Sequence, residues 1–129
     1  MADMNNIQLR FKEAIELINR GDAIQASEKL YKVVEDCIKL LAKINNIPKH
    51  KEAIEAGQWW TKLLSRASER LRRIHGDNII TAWQAAYELH IRGFHEEQMD
   101  IDEVKERASE IEDLLKLTIN EVKTKSSII

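Results

Sequence analysis

Residues that break helices are nearly absent from this chain, and this feature constrains its fold more than any other. Its 129 residues include one proline and four glycines, which fall near positions 21, 48–57, 76 and 93. Proline interrupts a helix and glycine weakens one, so the stretches between these positions can form long helices. Apolar residues recur along those stretches every three or four positions, which is the spacing of one helical face. The sequence therefore predicts an all-α fold.

The predicted architecture is an antiparallel bundle of about five helices in one domain. Residues 1–124 should form that domain, because the chain is short and contains no long linker, and residues 125–129 should fray as a tail. The predicted helices cover residues 3–20, 22–45, 58–75, 79–98 and 100–123. Residues 49–57 form a charged connector whose conformation the sequence leaves open.

Capping residues mark the boundaries between these helices. Gly21 and Gly76 stand where a helix should end. Asp22 and Asp100 are each followed three residues later by a glutamine or glutamate, which is the spacing of an N-terminal capping pair. Asp77 has the residue type of a further N-cap. Each boundary in the second half of the bundle therefore has a local chemical cause.

Two of the predicted helices have distinctive apolar faces. The face of the helix at 22–45 is unusually wide, so we expect this helix at the centre of the bundle and its Cys37 to be a buried, reduced thiol. The last helix can pack its apolar face either inside the bundle or against a second copy of the chain. That face follows a heptad spacing and consists of Ile101, Val104, Ala108, Ile111, Leu115, Thr118 and Val122.

Charge and composition exclude several general functions. Lys and Arg number 20 against 22 Asp and Glu, for a formal charge of −2, so the whole molecule lacks a strong attraction to nucleic acid or to an anionic membrane. Residues 1–10 lack the apolar core of a signal peptide, and no apolar run reaches the roughly 18 residues of a membrane span. We therefore expect a cytoplasmic protein without membrane association. Few glycines and prolines, one cysteine and many charged residues are typical of a thermophile.

The third predicted helix carries a basic ridge that consists of Lys62, Arg66, Arg70 and Arg73. Residues 61–75 hold five Lys or Arg against one Glu, whereas residues 96–113 hold nine Asp or Glu against two Lys or Arg. A phosphate-facing surface is one interpretation of the ridge. The others are a solvated helix face, or two surfaces that neutralise each other within the bundle or across a dimer.

The fourth predicted helix carries an aromatic stripe. Trp83, Tyr87, His90 and Phe94 lie within about 60° of one another on a helical wheel of 100° per residue. His90 should therefore point inward, where it is either a hydrogen-bonded core histidine or a group that grips a ligand, a partner helix or a proton. The three tryptophans, Trp59, Trp60 and Trp83, are best interpreted as anchors of the core or its rim.

Other polar residues of this helix have less distinctive positions. His95 is five residues from His90, which rotates it by about 140° on an ideal α-helix, so we expect the two not to bind one metal ion. Arg92 could orient both His95 and Glu96, yet this trio also resembles an ordinary exposed helix face. Gly93 inside a helix costs about 1 kcal/mol relative to alanine, and close approach of another backbone would compensate that cost.

The motifs of common enzyme classes are missing from the sequence. It contains no glycine-rich phosphate loop, no nucleophile elbow, no Cys or His pair at metal-binding spacing and no paired carboxylates framed by a pocket. We therefore expect no metal and no cofactor, and a non-catalytic role is favoured.

Three segments resemble the archaeal PaREP-type family of small proteins. They are residues 21–42, with Gly21-Asp22 and the Gln25–Lys32 stretch, residues 57–67 with the Trp59-Trp60 pair, and residues 82–96 with Glu88-Leu-His-Ile-Arg-Gly-Phe-His-Glu96. The resemblance implies a bundle related to the HEPN superfamily. Members of that superfamily often form homodimers, and they include nucleotide-binding modules, protein partners of nucleotidyltransferases, and ribonuclease toxins that need no metal.

The ribonuclease members share a signature in which an arginine is followed four to six residues later by a histidine. Arg70 and His75 match that spacing, with Leu71 where a polar residue is usual, and they end the third predicted helix rather than lying in a late one. Arg92 and His95 are too close together to match. These four residues are the catalytic candidates, and two solvated residues at a helix end are the alternative interpretation of Arg70 and His75.

The sequence thus favours a HEPN-like interaction module, dimeric, that binds a nucleotide, RNA or a partner protein such as a nucleotidyltransferase. A metal-independent endoribonuclease is the alternative, in which His75 or His95 transfers the proton and Arg70 or Arg92 steadies the phosphate. The predicted ligand or partner interface consists of Trp83, Tyr87, His90, Gly93, Phe94 and His95.

Overall fold

The computed structural model describes residues 3–47 and 61–128, with side chains described as far as residue 125. The helices are α1 Met4–Asn19, α2 Ala23–Ile44, α3 Thr61–His75, α4 Asn78–Glu88, the π-helical segment Leu89–His95 and α5 Ile101–Ile128. No strand occurs in these two ranges, which confirms the predicted all-α bundle. The predicted connector at 49–57, the start of the third helix and the Trp59-Trp60 pair lie outside the described residues.

Two glycines separate helices as the sequence predicts. Gly21 and Gly76 have φ angles of +78° and +96°, in the left-handed region that side chains with a Cβ rarely adopt. The backbone therefore reverses after α1 and again after α3. Asp22 then caps α2, because its carboxylate accepts a hydrogen bond from the backbone N–H of Gln25 at 3.1 Å.

The caps of α4 and α5 differ from each other. At the start of α5, the backbone N–H of Glu103 donates to the Asp100 carboxylate at 2.8 Å, and the backbone N–H of Asp100 donates to the Glu103 carboxylate at 3.4 Å. This reciprocal pair confirms the predicted capping box. At the start of α4, Asp77 forms no side-chain cap hydrogen bond, and its carboxylate lies 3.7 Å from Arg72 instead. The predicted capping role of the Asp77 side chain is wrong.

Helix α2 lies at the centre of the bundle, as its wide apolar face predicts. It contacts α1, α3, α4, α5 and the π-helical segment. Complete burial of a leucine or valine contributes about 1.5–3 kcal/mol, so this helix provides much of the driving force for folding. Its fully buried apolar residues are Ala26, Leu30, Val33, Val34, Cys37, Ile38, Leu41 and Ala42.

The heptad face of α5 packs inside the bundle. Val104 and Ile111 are completely buried, and α5 packs against α2 and α4. Thr118 is also completely buried, and its hydroxyl donates to the carbonyl of Leu114 at 2.8 Å, so its polar atom is satisfied. Of the two predicted arrangements, the described helices therefore use this face within one chain.

Cys37 is a buried free thiol, which confirms its prediction. Burial raises the pKa of this thiol to about 12, against the smaller opposing effect of a hydrogen bond with Thr118. A thiol with so high a pKa holds almost no thiolate at neutral pH and is chemically inert.

Helix α5 is the longest element, and it continues to Ile128, beyond the predicted end at Lys123 and into the segment predicted to fray. Its outer face is charged and includes ion pairs between side chains three or four residues apart, as for Lys116 with Glu112 at 3.4 Å. Among the described residues, neither α5 nor any other helix has the length and apolar character needed to cross a membrane.

Candidate functional site

The fourth predicted helix is not one continuous α-helix. Its α-helical part ends at Glu88, and residues 89–95 form a π-helix, in which backbone hydrogen bonds span five residues rather than four. The backbone N–H of Glu96, for example, donates to the carbonyl of Ile91 at 2.9 Å. The segment ends at His95, and Glu97, with a φ of +55°, lies in the turn that leads to α5. Such segments are rare and occur frequently at functional sites.

The π-helical turn places two histidines together. The Nε2 atoms of His90 and His95 lie 3.2 Å apart, and the two rings meet nearly at right angles with centroids 4.5 Å apart. The prediction that these rings point in different directions is wrong. It assumed the rotation of an α-helix, whereas residues five apart in a π-helix lie on the same side.

Two residues of α2 hold the ring of His90. Tyr31 stacks on it with ring centroids 4.2 Å apart, and a carboxylate oxygen of Glu28 lies 3.4 Å from its Nδ1. A carboxylate accepts hydrogen bonds, so the contact with Glu28 favours the His90 tautomer with its hydrogen on Nδ1. The His90 side chain is 24% exposed. His90 is therefore a half-buried histidine rather than a fully enclosed core residue. Its Nδ1 contacts Glu28 and its Nε2 contacts His95.

Sequence analysis missed Glu28 and Tyr31 as site residues. Burial raises the pKa of the Tyr31 phenol, and the nearby carboxylates of Glu35 and Glu28 add to that effect, so the hydroxyl stays protonated. Glu28 and Tyr31 are three residues apart on α2, at one edge of its wide apolar face. The signal in the sequence that could have indicated this contact is a glutamate at the edge of an apolar helix face.

Gly93 packs closely against α2. A Cβ atom built there would lie 2.3 Å from Oγ and 2.7 Å from Cβ of Ser27. Sequence analysis predicts close approach to a backbone, whereas the observed neighbour is a buried serine side chain whose hydroxyl donates to the Ala23 carbonyl at 2.7 Å. Only glycine fits against this serine without a shift.

The aromatic stripe runs from the core to the surface. Trp83 is 7% exposed and has Tyr31 and Tyr87 as aromatic neighbours, at ring-centroid distances of 6.3 and 6.1 Å. Tyr87 is 44% exposed. Phe94 lies parallel to His90 at 6.4 Å and is partly buried. The predicted interface residues therefore divide into a buried set, Trp83 and Gly93, and a set that reaches solvent.

A cavity of about 560 Å³ lies between α3 and α4. One wall carries the cationic side chains of Lys62 and Arg66, and the other carries the rings of Trp83 and Tyr87. Hydroxyl groups contribute the remaining polar lining. The lining residues of the described part are Thr61, Lys62, Ser65, Arg66, Trp83 and Tyr87. The cavity thus joins the start of the basic ridge to the exposed end of the aromatic stripe.

The basic ridge is a solvated surface. Lys62, Arg66, Arg70 and Arg73 are all exposed, and only the first two line the cavity. Within residues 3–47 and 61–128, no ion pair joins the ridge to the acidic residues 96–113. The interpretation in which the two surfaces neutralise each other within the bundle is therefore wrong, and neutralisation across a dimer stays a prediction.

Comparison with known proteins places the chain in a family. The archaeal PaREP1/PaREP8 family matches residues 4–115. The chain belongs to this family. The chain is also similar to a crystal structure of a protein from Sulfolobus solfataricus, which is 33% identical, with 95% of this chain and 98% of that chain covered and a TM-score of 0.82.

A solution structure of the same structural-genomics target is 31% identical to this PaREP-family chain. The match covers 95% of this chain and 94% of the chain in the solution structure, with a TM-score of 0.80. No curated protein matches the chain. The comparisons thus establish the family and support the helical fold.

The ribonuclease candidates of this PaREP-family chain occupy two separate surroundings. Nε2 of His75 lies 3.3 Å from the side-chain amide of Asn45 and 3.9 Å from a carboxylate oxygen of Glu121, and the His75 side chain is 12% exposed. It is turned toward α2 and α5, so the interpretation of His75 as a solvated residue is wrong. Arg70 is exposed on α3.

Arg92 is paired with carboxylates rather than with the histidine beside it. Its guanidinium lies 3.3 Å from Glu88 and 3.6 Å from Glu103. These acids compete with a phosphate for the guanidinium. His95 instead contacts His90, so the structure does not pair Arg92 with His95.

Proposed function

We propose that this PaREP-family protein is a non-catalytic binding module whose cavity between α3 and α4 holds a nucleotide, either free or as one unit of single-stranded RNA. The observation that carries the proposal is the composition of that cavity, with cations on one wall and aromatic rings on the other. A nucleotide has the matching chemistry, with an anionic phosphate at one end and a flat base at the other.

The aromatic wall offers a stacking surface for a base. Trp83 is fixed by its burial, and Tyr87 beside it is 44% exposed, so a ligand can reach its side chain. Stacking of a base on an aromatic side chain is worth about 1–3 kcal/mol and tolerates any base. A volume of about 560 Å³ lies within the range of roughly 300–1,000 Å³ typical of small-molecule sites.

The cationic wall offers a contact for phosphate. Lys62 and Arg66 are one helical turn apart on α3 and are exposed. Within the described residues neither forms an ion pair with an acid. Since the net charge of the chain is −2, attraction to phosphate is confined to this surface, and salt should weaken it.

Isothermal titration calorimetry with AMP and with an eight-nucleotide single-stranded RNA at low salt tests the proposal. Arg66→Ala and Tyr87→Ala should each weaken binding of both probes several-fold. Arg73→Ala is the matched control, because it removes an equal charge from the same ridge outside the cavity, and it should leave AMP binding unchanged. Absence of binding to either probe by the native chain, or equal losses from Arg66→Ala and Arg73→Ala, would contradict the proposal.

The ribonuclease alternative is tested in the same samples. Incubation of structured and single-stranded RNA with the native chain in the presence of a chelator should leave both intact. Cleavage that is lost in His75→Ala or His95→Ala would instead support a metal-independent nuclease.

We further propose that the chain forms a homodimer, as the HEPN-like resemblance implies. Because the heptad face of α5 is used within the chain, the dimer must use another surface, and the partly buried Phe94 beside the exposed His95 supports one. Light scattering should give twice the chain mass, reduced by Phe94→Ala. A stable monomer would remove this part of the proposal.

A further inference from the structure

We propose that His90 and His95 bind a divalent transition-metal ion such as Zn²⁺ through their Nε2 atoms. This site is separate from the cavity between α3 and α4, so it does not rest on the nucleotide proposal. Its ligands are one half-buried and one exposed imidazole at the surface of the π-helical segment.

The distance between the two nitrogens fits joint coordination. Zinc binds histidine nitrogen at about 2.0–2.1 Å with tetrahedral geometry, which separates two such nitrogens by about 3.3 Å. The Nε2 atoms of His90 and His95 are 3.2 Å apart. The two ring planes meet at 79°, with ring centroids 4.5 Å apart. Little rearrangement is needed for both nitrogens to contact one ion.

Glu28 supplies the outer contact that metal-binding histidines commonly have. Its carboxylate lies 3.4 Å from Nδ1 of His90 and holds the hydrogen on that nitrogen. Nε2 is thereby left with a lone pair that faces His95. The same carboxylate makes the imidazole a stronger ligand and favours a cation nearby. For His95, coordination requires the tautomer with its hydrogen on Nδ1, which needs only an internal shift of one proton.

The fold holds the two ligands in place before any ion arrives. The ring of His90 is fixed between Tyr31 and Glu28, and the π-helical turn brings His95 to it. Gly93, between the two histidines, seats that turn against Ser27 of α2. A π-helical turn lacks regular α-helical hydrogen bonding, and such turns occur frequently at functional sites. A metal site at this turn is consistent with that pattern.

The proposed site is open rather than closed. Within the described ranges, no group of three or more His, Cys, Asp or Glu side chains is placed to hold one ion. Two histidines therefore supply the protein ligands and water fills the remaining positions, on the side where His95 is exposed. Open coordination of this kind suits an ion that contacts a further molecule, and it binds more weakly than a closed four-ligand site.

Titration calorimetry of Zn²⁺ into the untagged full chain tests this proposal. We expect one ion per chain, with His95→Ala weakening the affinity at least tenfold. Because His95 is exposed, its replacement should leave the fold intact, as circular dichroism can verify. His75→Ala is the matched control, since it removes an imidazole elsewhere in the bundle, and it should leave the affinity unchanged.

A second variant and a spectroscopic measurement separate coordination from nonspecific binding. Glu28→Gln keeps a hydrogen-bond acceptor near Nδ1 but removes its charge, so we expect about tenfold weaker binding, as for other outer contacts of metal ligands. Nitrogen NMR should show Zn²⁺-dependent shifts of Nε2 in His90 and His95 and none in His75. Unchanged affinity in His95→Ala, or shifts absent from both rings, would overturn the metal site while leaving AMP binding untouched.

Discussion

Helix α5 and the α4–π segment, residues 78–95, both pack against α2. Helix α5 carries an aliphatic stripe and the α4–π segment an aromatic one, and the two stripes differ in how far they are buried. The stripe of α5 consists of aliphatic residues and one threonine, follows regular α-helical geometry and is buried along its described length from Val104 to Thr118. In the stripe of the α4–π segment, only Trp83 is buried, whereas His90 and Phe94 are partly buried and Tyr87 is 44% exposed.

The difference separates a regular, buried helix face from a segment with irregular backbone geometry and exposed side chains. Helix α5 has a complete capping box and an unbroken backbone ladder, so its residues contribute mainly to folding. The α4–π segment lacks a side-chain cap, changes its hydrogen-bond pattern and places imidazoles and a phenol near solvent. Regions that give up regular structure in this way are the usual location of binding sites.

The largest expected effect is a loss of stability from the buried face of α5. Leu114 is completely buried, so Leu114→Ala leaves a cavity in the core and should reduce the free energy of unfolding by about 2–5 kcal/mol. Urea denaturation monitored by circular dichroism measures this change. Glu112→Ala, on the charged outer face of the same helix, should change stability by less than about 0.5 kcal/mol. Similar losses from both variants would show that burial does not distinguish the two faces.

Gly93→Ala should have the next largest effect, and its sign is opposite to that of helix propensity. In an ordinary exposed helix this change stabilises by about 1 kcal/mol. Here the added methyl group meets Ser27, so we expect destabilisation of about 1–3 kcal/mol, typical of overpacking. Adding Ser27→Ala should recover part of the loss in a double-mutant cycle. Stabilisation by Gly93→Ala alone would mean that the two segments are less closely packed than described.

Removal of the caps should distinguish the two helix starts by a smaller amount. Asp100→Ala removes the acceptor for the Glu103 backbone N–H and should cost about 1 kcal/mol in unfolding free energy. Asp77→Ala removes no cap hydrogen bond and breaks only an exposed contact with Arg72, so its effect should be within about 0.5 kcal/mol. Thermal denaturation of the two variants provides the comparison, and equal losses would assign Asp77 a capping role after all.

A small stability change is also expected at Tyr87, the exposed member of the aromatic stripe. Tyr87 is 44% exposed, so Tyr87→Ala should alter the free energy of unfolding by less than about 1 kcal/mol, in spite of the loss of a large side chain. Chemical denaturation of this variant beside Leu114→Ala measures the contrast directly. A loss as large as that of Leu114→Ala would place Tyr87 among the residues that hold the fold together.

The sequence predicts the fold well where local chemistry determines structure. Gly21, Asp22 and Asp100 fix their helix boundaries through backbone conformation and capping bonds formed within three residues. The central position of α2 and the burial of Cys37 follow from apolar periodicity alone, because a wide apolar face must be covered on several sides.

The candidate site is less predictable, because it depends on contacts between distant parts of the chain. The periodicity of residues 79–98 fits a continuous α-helix, and no local signal in it specifies a π-helical turn. Only the packing of Gly93 on Ser27 and the contact of Glu28 with His90 distinguish the two geometries. The cavity likewise needs α3 beside α4, which sequence spacing does not reveal.

Chemical labelling of Cys37 can report transient separation of α2 from α5 in the unmodified chain. Its thiol is enclosed between α2 and Thr118 of α5, and its raised pKa of about 12 keeps it protonated. Iodoacetamide reacts with the thiolate, so it should modify only those molecules in which the two helices have transiently separated. The labelling rate then gives the frequency of that separation, as hydrogen exchange does for backbone amides. A zinc ion or a nucleotide that rigidifies the bundle should slow the labelling, without contacting the cysteine.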